Sequence, residues 1–76
     1  MDEELEEIKE LLGADFYVNS NYISFYWKDC EVCNIRMIQS DVWELCFKKV
    51  RIYLNNKDEC LDYLLEELRK GKNDTK

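Results

Sequence analysis

The sequence predicts an α+β fold: an N-terminal helix, a three-stranded antiparallel meander, and two C-terminal helices packed on one face of the sheet. Three observations predict it. Apolar residues recur at helical spacing in the first dozen residues and again after residue 58. Residues 16–39 instead alternate apolar and polar side chains, the period of a strand. Short polar clusters, Asn19-Ser20-Asn21 and Lys28-Asp29-Cys30-Glu31, cut that alternation into hairpin lengths.

In residues 2–13, Leu5, Ile8, Leu11 and Leu12 form one apolar stripe, and acids fill the remaining positions. Asp2 suits the N-cap, the early glutamates suit the positive end of the helix dipole, and Gly13 suits the C-terminal cap. Phe16-Tyr17-Val18 reads as a short strand. Tyr22 to Lys28 alternates with Ile23, Phe25 and Trp27 on one side, and Val32 to Gln39 with Cys33, Ile35 and Met37. Helices should cover the face bearing Phe16, Val18, Ile23, Phe25, Trp27, Cys33, Ile35 and Met37. The other face would show Tyr17, Tyr22, Tyr26, Asn34 and Arg36.

Residues 41–55 suit either state. Val42 to Phe47 and Val50 to Leu54 have strand composition, but the alternation slips phase at Lys48-Lys49. Glu44, Lys48, Arg51 and Asn55 recur on one helical stripe, and Asp41 with Glu44 has capping-box spacing, so a helix is expected. Lys49 falls inside its apolar arc and fits worst. The final helix is expected to start at Asp58, carry Leu61, Leu64, Leu65 and Leu68 on its stripe, and end at Arg69-Lys70-Gly71. A single domain over residues 2–71 with a polar tail at 72–76 follows, near the lower size limit for a self-sufficient core.

The net charge is −6. Residues 1–15 hold seven acids against Lys9 alone, so the whole excess lies there and residues 16–76 balance to zero. Phosphate neutralisation by that segment is disfavoured, so no direct nucleic-acid contact is expected, and a basic protein partner is favoured. No apolar run reaches the roughly 18 residues of a membrane span. The N-terminus lacks a basic-then-apolar secretion pattern. A cytoplasmic setting with reduced thiols is therefore expected.

The chain has no histidine, so the commonest general base is missing, and the carboxylates of the first helix are expected at solvated positions. No catalytic site and no cofactor are expected. Cys30-Glu31-Val32-Cys33 resembles half of a zinc knuckle, and Cys46 and Cys60 are the remaining thiols for a tetrahedral site. The plainer reading makes Cys33, Cys46 and Cys60 small core hydrophobes and Cys30 a turn thiol.

Like charges three and four residues apart (Glu3–Glu6, Glu3–Glu7, Glu6–Glu10) cost helix stability, so their persistence invites a binding role beside simple solvation. A row of carboxylates on a helix can imitate phosphates in a basic groove. The sequence thus points to Glu3, Glu6, Glu7 and Glu10 as electrostatic contacts and to Tyr22 and Tyr26 as aromatic anchors. A homodimer through the tyrosine face is a further expectation, as is a structural zinc module held by Cys30, Cys33, Cys46 and Cys60.

The leading helix 4–12, the strands 16–18, 22–28 and 32–38 and the helices 41–54 and 58–70 give a small, acidic, histidine-free chain that resembles phage-encoded anti-CRISPR proteins. The likeness is to the compact inhibitors that occupy the DNA-recognition cleft of the type II CRISPR nuclease. It implies a non-enzymatic inhibitor, a DNA mimic in kind, that binds a basic nucleic-acid-binding protein such as a CRISPR effector in the host cytoplasm.

Overall fold

A computed structural model describes residues 2–73 of the chain. The elements are α1 (Asp2–Leu12), β1 (Asp15–Asn19), β2 (Tyr22–Trp27), β3 (Cys30–Gln39), β4 (Val42–Phe47), β5 (Val50–Leu54) and α2 (Lys57–Asn73). The strands form one antiparallel meander in the order β1-β2-β3-β4-β5. The α+β class stands, but the expected three strands with two C-terminal helices do not. The sheet has five strands, and one helix follows it.

The error lies in residues 41–55, where strands β4 and β5 replace the expected helix. The phase slip at Lys48-Lys49 is the hairpin turn itself, with φ of 52° and 66° at the two lysines. Positive φ at both central residues gives the turn whose twist matches that of the flanking strands. On either side the alternation is clean. Trp43, Leu45, Phe47, Ile52 and Leu54 join the core or pack against it, while Glu44, Cys46, Arg51 and Tyr53 point to the other face. The helical stripe through Glu44, Lys48, Arg51 and Asn55 was a coincidence of spacing. Asp41 lies in the β3–β4 turn instead of capping a helix. The order of elements that carried the anti-CRISPR likeness is therefore not the order in this chain.

Both helices cover the same face. Leu5 and Ile8 of α1 and Cys60, Leu61, Leu64 and Leu65 of α2 bury against Ile23, Phe25, Cys33, Ile35, Trp43 and Leu45. Phe16 supports this core from β1, its ring centroid 6.1 Å from that of Phe25. Val18, Trp27 and Met37, expected on the covered face, are exposed where the sheet outreaches the helices, Trp27 by 54%. Gly13 ends α1 as expected: at φ 68° its N–H and that of Ala14 donate to the Lys9 carbonyl at 2.8 and 3.1 Å. The N-cap of α2 is Asn56 and not Asp58, since Asn56 Oδ1 accepts from the Glu59 N–H at 2.9 Å. Gly71 does not stop α2, which continues to Asn73. Of the expected tail, residues 74–76 lie outside the described residues.

An odd number of strands separates the helices, so α1 and α2 run parallel and present both N-termini at one end of the sheet. Two β-bulges shape β3. Phe25 pairs with Cys33 but Tyr26 with Glu31, leaving Val32 as the extra residue; Ile38 is the extra residue opposite β4.

Candidate functional site

The parallel helices gather carboxylates at their shared N-terminal end. Glu4 and Glu6 of α1 and Asp58 and Asp62 of α2 rim a groove of about 720 Å³, with Lys57 beside them. Its floor is apolar: Leu5 and Leu61 from the helices, Phe16, Val18 and Ile23 from the sheet. Glu4 faces Asp62 across the groove, and its carboxyl is pushed up to about 7. Burial is the main cause, then the Asp62 hydrogen bond and charge, then the Asp58 charge; Arg69 opposes them. A Glu4 carboxyl raised this far holds its proton near neutral pH. The positive ends of two helix dipoles offset part of the repulsion among the acids.

Glu4 thus departs from the expectation that the helix carboxylates are solvated. Its sequence signal was its place four and seven residues before Ile8 and Leu11, on the margin of the apolar stripe. Asp58 and Asp62 stand three residues before Leu61 and Leu65 in the same way.

The uncovered face of the sheet holds a second constellation. Register places Tyr17, Ser24, Asn34, Cys46 and Arg51 in one cross-strand row and Asn19, Tyr22, Arg36, Glu44 and Tyr53 in the next. The Val32 bulge returns Glu31 to this face, which simple alternation would have denied it. The Glu31 carboxylate accepts from the Tyr22 hydroxyl, from Ser24 Oγ at 2.6 Å and from Asn34 Nδ2 at 3.0 Å. Glu44, only 2% exposed, accepts from Arg36 Nε and from the Tyr53 hydroxyl, each at 2.9 Å.

For both acids burial pushes the carboxyl up, yet the hydrogen bonds and the Arg36 charge outweigh it and hold it below the usual range. Both therefore stay ionised and serve the face structurally. Asn34 Oδ1 is buried without a donor, the only such side-chain atom among the described residues.

The expected contact residues do not form one site. Tyr22 and Tyr26 lie on the uncovered face, whereas α1 lies on the other side of the sheet. Glu7 accepts both Arg69 Nε and Nη2 at 2.8 Å, tying α1 to α2. Glu3 is exposed on α1, Glu6 lines the groove, and Glu10 sits near the opposite end, beside Leu11, Lys48 and Gly71.

The cysteines are also divided. Cys33 and Cys60 are buried in the core, Cys46 points to the uncovered face, and Cys30 is exposed. Burial pushes the Cys33 thiol up to about 12 and the Cys60 thiol up to about 11, so both remain protonated. Among the described residues no group of three or more His, Cys, Asp or Glu side chains is arranged to hold a metal ion. No described helix is long and apolar enough to cross a membrane.

No family model matches the chain, and neither a curated protein nor a solved structure is significantly similar to it.

Proposed function

We propose that the protein is a non-enzymatic binding module whose acidic groove receives a basic segment of a nucleic-acid-handling protein. The observation that carries this reading is the Glu4–Asp62 pair, held with Asp58 and Glu6 over an apolar floor. A lysine or arginine entering the groove replaces the Glu4 proton with a fixed positive charge, and its methylene stem lies on Phe16, Val18 and Leu61. The clustering is unfavourable in the free protein, so a cationic ligand relieves it. A carboxyl pair of this kind is also raw material for acid–base chemistry, but among the described residues no hydroxyl or thiol lines the groove to act beside it. Binding is the better reading.

The partner class follows from the acidic groove: proteins that carry a basic nucleic-acid-binding surface. Titration against a type II CRISPR nuclease, and then against other basic nucleic-acid-binding proteins, is expected to give an affinity that falls steeply with salt. Reversing Glu6 and Asp58 to lysine should weaken it by about tenfold or more. Tyr26→Arg, on the opposite face, should leave it intact. Equal affinity and equal salt dependence for the reversed protein would sink the reading, and a loss seen only with Tyr26→Arg would move the contact to the sheet.

A further inference from the structure

Among the described residues two strands have a neighbour on one side only, β1 and β5, and their edges are guarded unequally. β1 carries Asp15 and follows α1, the segment that holds the chain's whole charge excess, so two copies joined there would set acid against acid. β5 reads Val-Arg-Ile-Tyr-Leu, with no proline, no glycine and a single charge. Its Val50 and Tyr53 are 52% and 56% exposed. Arg51 is its one charge, and neither a proline nor a bulge interrupts it.

The direction of its free backbone groups follows from the hairpin. A two-residue turn makes Phe47 and Val50 a hydrogen-bonded pair. Alternation then turns the N–H and C=O of Val50, Ile52 and Leu54 toward β4 and those of Arg51 and Tyr53 outward. When two copies of β5 pair antiparallel, outward-facing residues must meet each other. A register centred on Arg51 sets guanidinium against guanidinium. One centred on Tyr53 leaves Val50 opposite Asn56, beyond the strand. Centred on Ile52, all five residues find strand partners: Val50 of one copy faces Leu54 of the other, Arg51 faces Tyr53, and Ile52 faces itself.

In that register each Arg51–Tyr53 pair exchanges backbone hydrogen bonds and lays a guanidinium beside a phenol ring. Lys49 of one copy faces Asn55 of the other, so no like charges meet within the strand and its flanks. On the covered side, a groove of about 220 Å³ between β5 and α2 is lined by Phe47, Val50, Ile52 and Tyr63, with Lys48 and Glu67 among its walls.

We propose that β5 is a self-association edge through which two copies pair antiparallel about Ile52, joining two five-stranded sheets into one. The inference is independent of the acidic groove.

Light scattering on the eluting protein is expected to give twice the 9.3 kDa chain mass. Arg51→Pro removes an outward N–H without touching a bond to β4, and should restore the single-chain mass with unchanged far-UV circular dichroism. Should that variant fail to fold, Arg51→Glu keeps the backbone donor, opposes the tyrosine with an anion, and should weaken the dimer at least about tenfold. In a Cys30→Ser background, Ile52→Cys should cross-link into dimers on oxidation far faster than Lys49→Cys. A single-chain mass for the native protein at its highest soluble concentration would overturn the proposal. So would an undiminished dimer in Arg51→Glu, equal cross-linking at both positions, or an open-ended series of larger species.

Discussion

Glu44 shows how one side chain can be misread from its spacing and understood from its neighbours. A glutamate in Val-Trp-Glu-Leu-Cys-Phe looks like the polar face of a helix. In the sheet it is a buried acceptor for Arg36 and Tyr53, two residues on different strands. Glu44→Gln keeps the shape, removes the charge and leaves one donor poorly matched, so it should cost about 1–2 kcal/mol at pH 7. The sign with pH follows from the lowered carboxyl: its contribution is present above the ordinary carboxylate range and lost as pH falls through the lower folded value. The deficit of Glu44→Gln, measured by urea unfolding, should therefore shrink in acid. Glu4 has the opposite sign because its burial and the neighbouring Asp62 and Asp58 outweigh Arg69. Nothing at the level of residue type separates these two glutamates; what packs around each does.

At the scale of elements, the β4–β5 hairpin is held by a turn its residues do not favour. Lysine has a Cβ, and at positive φ that atom crowds the backbone; Asn-Gly is the pair that fits such a turn. Replacing Lys48-Lys49 with Asn-Gly should raise stability by about 1 kcal/mol in denaturant titrations without altering the circular dichroism spectrum. Either side of the turn, the strand alternation was visible in the sequence. The turn was not, because its type is normally signalled by Asn or Gly and here neither is present. The same cause hid Arg51 and Tyr53 from the expected sheet face. The Val32 bulge was equally silent: an extra residue in one strand exists only relative to its partner, and no local pattern in Cys30-Glu31-Val32-Cys33 announces it.

Across the whole molecule, parallel helices over an odd-stranded meander bring both helix N-termini and their acids to one end. Glu4, Glu6, Asp58 and Asp62 meet at the end where both helices begin, while the lysine-bearing turns at Lys28 and Lys48-Lys49 lie at the end where both finish. The Glu4–Asp62 contact links the two helices and makes stability depend on pH. A carboxyl raised to about 7 in the folded state contributes fully below its unfolded value, and that contribution is lost as pH rises through 7. Glu4→Gln removes the titration, so its melting temperature relative to the native protein should climb between pH 5 and pH 8. A constant difference across that range would show that the Glu4 carboxyl is not raised. The α1 face outlined by Glu3, Glu6, Glu7 and Glu10 was legible as acidic, yet Glu7 serves Arg69 and Glu10 stands apart from the groove.

The sequence by itself determined the two terminal helices, the strands from Phe16 to Gln39 and the location of the charge excess. These depend on local periodicity and composition, which a linear chain displays in full. The tertiary structure alone decided that residues 41–55 complete the sheet and that Glu4 meets Asp62. It also set the tyrosines and α1 on opposite sides of the sheet, with the β5 edge uncovered. Each of those outcomes depends on which segment lies against which, because a residue's partners across a sheet or between helices are set by packing rather than by its neighbours in the chain.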